Sequence, residues 1–164
     1  MGDILVDANV LIDYCSSNNV RSVLRLIAHQ LGPLYVPGPV LSQVHQLSKQ
    51  QCARLGLILV EPTLEQMVQA SERPWRLSFE DALCVLLART NKWTCLTNDR
   101  RILQVCSDLS VKTWRGFRPM IELVRTGALD SARAAAAAED IRRSNPFHIT
   151  PAIVQDFRRQ IGLP

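Results

Sequence analysis

The sequence predicts an α/β fold in which helices cover both faces of a central parallel sheet. Short apolar runs rich in β-branched residues recur along the first two thirds of the 164-residue chain, which is typical of strands buried on both faces. Segments with helical spacing of apolar residues alternate with these runs, as in βαβ units. Hydrophobic residues make up 47% and charged residues 21%, so we expect one globular domain.

Five strands are expected from the apolar runs. The first consists of Ile4, Leu5 and Val6, and the second follows the helix-ending pair Gly32-Pro33. The later runs are bounded by turn residues or by polar segments. The predicted strands are residues 4–6, 34–36, 57–60, 94–97 and 111–114.

The helices between these strands are expected from apolar spacing and from their first residues. A proline near its first turn marks the helix after the second strand, and Thr63 is the expected N-cap of a later one. Residues 78–91, rich in alanine and leucine, form the clearest helix. The predicted helices are a short one containing residues 10–12, then 20–31, 39–50, 63–73, 78–91 and 100–106.

The last third of the chain predicts helices without strands. Residues 120–124, 131–142 and 150–161 have helical spacing, and proline, glycine or the Asn145-Pro146 pair separates them. We therefore expect a single domain over residues 1–164, of which about 120–164 is a helical extension.

Three aspartates follow predicted strands or begin a helix. Asp7 ends the first strand, Asp99 ends the fourth, and Asp81 lies in the first turn of the clearest helix. Parallel strands present their carboxyl ends at one rim, where open sheets bind ligands. A sheet order of 3-2-1-4-5 would bring Asp7 and Asp99 together there.

Clustered carboxylates repel one another unless a cation neutralises them. Oxygen ligands favour a hard divalent cation, so Mg²⁺ or Mn²⁺ is the expected occupant. Each acid also has a structural interpretation. Asp7 and Asp99 could cap the helices that follow them, and Asp81 could belong to a capping box with Ser78. Asp13 and Glu80 are interpreted as solvated or locally paired charges.

Three motifs resemble those of PIN-domain nucleases. Residues 4–12 (ILVDANVLI) resemble the opening of that family, residues 77–83 (LSFEDAL) resemble its third acidic motif, and residues 97–102 (TNDRRI) resemble its fourth. The resemblance extends over residues 3–114 and implies a metal-dependent ribonuclease, often the toxin of a VapC-type toxin–antitoxin pair. It implies that Asp7, Asp81 and Asp99 are metal ligands. The residues it implies in support are Asn9, Thr97 and Asn98.

One position departs from the family pattern. The second acid of the family is a glutamate after the second strand, and the corresponding residue here is Gln43. An amide carbonyl can ligate a cation or a bound water, but it adds no negative charge. The site would then have three carboxylates, and the expected consequence is one of three alternatives: weaker metal binding, a single metal ion or loss of activity.

Two other functions are consistent with the sequence. A degenerate PIN domain would bind RNA or a protein without cleaving, and Gln43 favours that alternative. The segment Asp7-Ala8-Asn9-Val10 is also similar to the nucleophile loop of haloacid-dehalogenase-like phosphatases, although that family has a second aspartate where this chain has Asn9.

The formal net charge of +4 permits a polyanionic partner. RNA is the expected substrate, and the arginines that could hold its backbone are Arg100, Arg101, Arg115 and Arg118. An antitoxin protein and a homodimer are the other expected partners. No membrane partner is expected, since no apolar run could span a bilayer. Five scattered cysteines and the lack of a signal-peptide pattern predict a cytoplasmic protein.

Overall fold

The computed structural model describes residues 2–164 and contains a five-stranded parallel sheet with helices on both faces. The strand order is β3-β2-β1-β4-β5, so the predicted fold class and topology are confirmed. The strands are β1 (Ile4–Val6), β2 (Leu34–Pro37), β3 (Leu57–Val60), β4 (Thr94–Leu96) and β5 (Thr113–Trp114).

Ten α-helices connect and follow these strands in the described residues. They are α1 (Ala8–Asp13), α2 (Asn18–Gln30), α3 (Gly38–Leu41), α4 (Lys49–Arg54), α5 (Leu64–Ser71), α6 (Phe79–Asn91), α7 (Arg100–Asp108), α8 (Arg118–Arg125), α9 (Ser131–Ser144) and α10 (Pro151–Gln160).

The continuous helix predicted over residues 39–50 is wrong. Helix α3 ends at Leu41, and the chain then turns before Ser48 begins α4 as an N-cap in a capping box with Gln51. A capping box satisfies the first free backbone N–H groups of a helix, so it starts a new helix here. The predicted N-cap at Thr63 is confirmed, and it forms a capping box with Gln66.

The two faces of the sheet bury separate apolar clusters. Ile4 and Val6 of β1 point into one cluster, which α2, α8, α9 and α10 complete. Leu5 points into the other, which α5, α6 and α7 complete. Alternate residues of a strand face opposite sides of the sheet, so the all-apolar β1 is buried from both sides.

The C-terminal helices pack on the first of these faces. Helix α9 lies against α2 and α10, and four of its six alanines are buried because their small side chains allow close approach. Polar contacts reinforce the packing, since Ser17 donates to Asp140 at 2.8 Å. Within residues 2–164, no helix is long and apolar enough to cross a membrane. All five cysteines are free and buried.

Candidate functional site

Asp7 is the N-cap of α1, immediately after β1. One carboxylate oxygen accepts the Val10 backbone N–H at 2.8 Å, and the other accepts a hydrogen bond from the Thr97 hydroxyl. The residue is only 2% exposed. Asp7 therefore has the capping role considered from the sequence, and it is also a buried charge.

Strand register places Thr97 beside Asp7. Val6 of β1 pairs with Leu96 of β4, and the Asp7 N–H donates to the Leu96 carbonyl at 3.1 Å. Thr97 is the first residue after β4, and its Oγ1 also accepts the Asp99 backbone N–H at 3.0 Å. A single hydroxyl thus connects the Asp7 carboxylate to the loop that carries Asp99.

The other two aspartates lie at the starts of helices. Asp99 caps α7, and its Oδ1 accepts the backbone N–H groups of Arg101 at 2.7 Å and Ile102 at 3.0 Å. Asp81 lies in the first turn of α6, where its backbone N–H donates to Ser78 Oγ at 3.2 Å. The Asp81 carboxylate makes no capping bond, so the capping-box interpretation of Asp81 is wrong.

The environment of Asp7 favours its protonated form. Burial raises its pKa to about 6 from an ordinary value of 3.8, and the negative charges of Asp81 and Asp99 add to that rise. The hydrogen bonds from Thr97 and Val10 oppose it. Asp7 and Asp99 follow the neighbouring strands β1 and β4 at the carboxyl-end rim of the sheet, and Asp81 in the first turn of α6 is close enough for its charge to act on Asp7.

These carboxylates are chemically suited to a divalent cation. None of the three forms an ion pair with a lysine, arginine or histidine in the described part of the chain. As they stand, no three histidine, cysteine or acidic side chains among residues 2–164 are gathered closely enough to hold a metal ion. The donors fit a hard cation in kind, and its charge would offset the repulsion among them.

The asparagines expected to support the site differ in their contacts. Asn98 Oδ1 accepts the Gly116 N–H at 2.9 Å, and the Tyr14 hydroxyl donates to the Gly116 carbonyl at 2.6 Å. A Cβ at Gly116 would lie 2.6 Å from Asn98 Nδ2, so a larger residue there would displace the Asn98 side chain. Asn98 therefore holds the segment after β5, while Asn9 is exposed beside the rim.

The four arginines expected to bind RNA all line one groove beside the rim. Arg118 pairs with the buried Glu122 at 2.5 Å, and Arg125 shares the same glutamate. The positive charge of Arg118 is thus partly neutralised by Glu122. Arg100, Arg101 and Arg115 are exposed and have no acidic partner in the described residues.

Gln43 lies in the turn after α3 and is exposed. Its backbone N–H donates to the Val40 carbonyl at 3.0 Å, and no hydrogen bond joins its side chain to the three aspartates. Glu61 lies at the end of β3, where a Cβ on Gly38 would stand 2.9 Å from its Oε1. No acidic residue lies between Asp13 and Glu61 in the sequence, but the sheet brings Glu61 beside the start of α3.

Asp13 was interpreted wrongly as a solvated or locally paired charge. It is 6% exposed, and Asn145 Nδ2 donates to its Oδ1 at 2.9 Å. Burial raises the pKa of Asp13, while the Asn145 hydrogen bond and the charge of His148 lower it. The two partners are separated by 132 residues, and no local pattern signals such a contact.

A family model for the PIN domain matches residues 4–107. The chain belongs to the PIN domain family. PIN domains are generally nucleases and typically use divalent metal ions. All three aspartates lie within the matched region, and the match favours this family over the phosphatase resemblance.

A solved structure supports the same fold. The crystal structure of PAE2754 from Pyrobaculum aerophilum is similar to this PIN domain, with a TM-score of 0.50 and 17% sequence identity. The similarity covers 78% of this chain and 91% of that chain. No curated protein matches the sequence.

Proposed function

We propose that this PIN domain is an endoribonuclease that depends on Mg²⁺ or Mn²⁺. The observation that supports the proposal is a set of three aspartates: Asp7 and Asp99 follow the neighbouring strands β1 and β4, and the charge of Asp81 acts on Asp7. They have no cationic partner in residues 2–164, and the charges of Asp81 and Asp99 help to raise the pKa of Asp7. A carboxylate set of this kind is stabilised by a bound cation.

In this proposal Asp7, Asp81 and Asp99 hold the cation. When bound, it would supply an activated water and stabilise negative charge on the phosphodiester. Thr97 keeps the Asp7 carboxylate and the Asp99 backbone in fixed relation through its two hydrogen bonds. Gln43 would contribute a neutral carbonyl where a charged ligand is usual in the family.

Resemblance to VapC-type toxins extends this proposal to a toxin–antitoxin pair. An antitoxin protein or a second copy of the chain would then bind the helical side of the domain. Light scattering tests self-association, and co-purification with the product of a small neighbouring gene tests the pairing. A strict monomer that recovers no such product would contradict the toxin role.

Gln43 favours a second candidate function, a degenerate PIN domain that binds RNA or a protein without cleaving. The residue is neutral and exposed, so three carboxylates would have to hold the cation without the fourth. Fewer charged ligands mean weaker binding of a hard cation.

Cleavage of a labelled RNA in Mg²⁺, in Mn²⁺ and in EDTA separates the two functions. We expect metal-dependent cleavage that Asp7→Asn, Asp81→Asn and Asp99→Asn each abolish. Asparagine caps helices as well as aspartate does, so these changes remove charge while keeping the caps of α1 and α7. Asp108→Asn is the matched control, because Asp108 is an exposed acid at the end of α7 that bonds only to Gln104.

Binding of RNA without cleavage under any of these conditions would support the degenerate domain. Cleavage that persists in EDTA would contradict the metal-dependent mechanism. Equal loss in the Asp108→Asn control would show that the loss does not come from the site.

A further inference from the structure

A groove of about 1280 Å³ extends from the aspartate rim to the C-terminal helices. Asn9, Asn98 and Asp99 line it at the rim, while residues 145–160 contribute much of its other wall. The PIN match ends at residue 107, so this wall belongs to the unmatched part of the chain.

The unpaired side chains that line this groove carry more positive than negative charge, since three arginines outnumber the carboxylates of Asp99 and the buried Asp13. Arg100, Arg101 and Arg115 line it without an acidic partner in the described part of the chain. Asp156, the exposed acid of the far wall, pairs with Arg159 at 3.6 Å. A polyanion in the groove would therefore meet three cations that no neighbouring carboxylate neutralises.

Phe147 stands on a turn that is fixed to the body of the protein. The backbone N–H groups of His148 and Ile149 donate to the Asn145 carbonyl at 3.3 and 2.9 Å. The Asn145 side chain bonds to the buried Asp13, and Ile149 is itself buried. The phenyl ring of Phe147 is nevertheless 93% exposed and lines the groove.

An exposed aromatic ring near unpaired arginines matches the chemistry of single-stranded RNA. Unpaired bases stack on aromatic side chains while arginines hold the phosphates. A protein helix would instead require a continuous apolar stripe along the groove. Here the lining combines apolar side chains, among them Trp114, Phe117 and Ile153, with three unpaired arginines, and a single strand of RNA uses both kinds of contact.

We propose that Phe147 is a base-stacking residue, and that the C-terminal extension binds an unpaired nucleobase of an RNA strand held by Arg100, Arg101 and Arg115. The inference deepens the proposed nuclease function and rests on it for the identity of the polymer. It assigns to the extension a subsite beside the metal ligands.

Fluorescence anisotropy with a short labelled single-stranded RNA, in EDTA to prevent cleavage, tests this subsite. We expect Phe147→Leu to raise the Kd by about 5- to 100-fold, since stacking requires an aromatic ring. Phe147→Trp should bind within about twofold of the unaltered chain. Leu64→Ala is the matched control, because Leu64 is 74% exposed on α5 and does not line the groove.

Salt dependence adds a second readout. Phe147→Leu should leave the slope of log K against log salt unchanged, because it removes no charge. Arg115→Ala should reduce that slope by about 0.7, the value for one phosphate contact on a single strand. Thermal melts check that each variant is folded.

Equal binding by Phe147→Leu and the unaltered chain would overturn the proposal, as would equal weakening by the leucine and tryptophan variants. Loss of self-association in Phe147→Leu with unchanged RNA binding would overturn it in favour of a protein partner. Weakened binding in a chain that never cleaves RNA would support the subsite and contradict the nuclease function. Normal cleavage with no effect of Phe147 would contradict the subsite alone.

Discussion

The Thr97 hydroxyl donates a hydrogen bond to the Asp7 carboxylate and accepts one from the Asp99 backbone N–H. These residues come from the ends of β1 and β4, which are neighbours only because of the sheet order β3-β2-β1-β4-β5. The contact therefore ties the geometry of the candidate site to the topology of the fold.

Replacing Thr97 with valine should disrupt both relationships. The change removes a hydrogen-bond donor from a buried carboxylate, and we expect a loss of about 1–3 kcal/mol in the free energy of unfolding. The pKa of Asp7 should rise further, because the Thr97 bond now lowers it. Urea denaturation measures the stability and carbonyl-labelled NMR measures the pKa.

Thr94→Val is the matched control for that change. Thr94 is buried on the same strand, and no hydrogen bond from its side chain is formed within the described residues. Similar losses in the two variants would show that the hydroxyl of Thr97 has no special role.

Asp7→Asn should stabilise the metal-free protein at neutral pH. The folded pKa of Asp7 is about 6 and its ordinary value is 3.8, so the folded state binds the proton more tightly than the unfolded state. Stability from this group is therefore lost as the pH rises from about 4 to 6, by up to about 3 kcal/mol. Asp7→Asn should lack that pH dependence.

Urea denaturation in EDTA at several pH values between 4 and 7.5 checks this prediction. The difference between Asp7→Asn and the unaltered chain isolates Asp7, because all other groups titrate in both proteins. If the difference in the free energy of unfolding does not change with pH, the pKa of Asp7 is not raised in the folded protein. Added Mn²⁺ should stabilise the unaltered chain more than Asp7→Asn.

Asn145→Ala should loosen the attachment of the C-terminal extension. The change leaves the buried Asp13 without its hydrogen-bond donor, at an expected cost of about 1–3 kcal/mol near pH 7. Because that bond lowers the pKa of Asp13, it favours the ionised form, and the cost should shrink as the pH falls. Chemical denaturation at pH 7 and pH 5 measures both values.

Asn18→Ala serves as the control, since Asn18 is exposed in the first turn of α2 and its side chain has no hydrogen bond in the described residues. If both alanine variants were equally stable, the hydrogen bond between Asn145 and Asp13 would make no contribution to the free energy of unfolding.

Gln43→Glu should tighten the binding of Mg²⁺ or Mn²⁺ about tenfold, or about 1.4 kcal/mol, and raise cleavage. The glutamate adds a charged ligand when the cation is bound and adds repulsion when it is absent. Thermal melts with and without metal should therefore diverge more than in the unaltered chain. Gln50→Glu, an exposed change of equal charge on α4, should have no such effect.

An unchanged metal response in Gln43→Glu would place Gln43 outside the site. This test is needed because residues 42–46 form a turn, and the continuous helix expected there is absent. The alignment of Gln43 with the second acid of the family stays a prediction until it is measured.

Local signals account for most of the fold. The apolar runs of β1, β2 and β4 mark buried strands, whereas the similar run of β3 lies at the sheet edge, where Ile58 is 43% exposed and the expected burial on both faces is wrong. A common rim for Asp7 and Asp99 predicts β1 beside β4, as the strand order confirms. The break after α3 differs from the predicted helix, although Ser48 and Gln51 have the spacing of a capping box in the sequence. Apolar residues continue across the turn with helical spacing, and this pattern predicts one continuous helix in spite of the capping box.

Contacts distant in sequence could not be predicted in the same way. The Asp13–Asn145 bond and the position of Phe147 in the groove depend on how the extension packs on the sheet. Neither Asn145 nor Phe147 lies in a motif. Asp13, viewed in the sequence alone, resembles an ordinary polar residue at the end of α1. Identifying them requires the tertiary structure.

Calorimetric titration of the metal-free protein with Mn²⁺ tests the central claim most directly, because it measures binding at the rim without requiring the right RNA. We predict saturable binding that weakens at least tenfold in each of Asp7→Asn, Asp81→Asn and Asp99→Asn and is unchanged in Asp108→Asn. Binding of equal strength in all four variants, or no binding by the unaltered chain, would contradict the assignment of these aspartates as metal ligands.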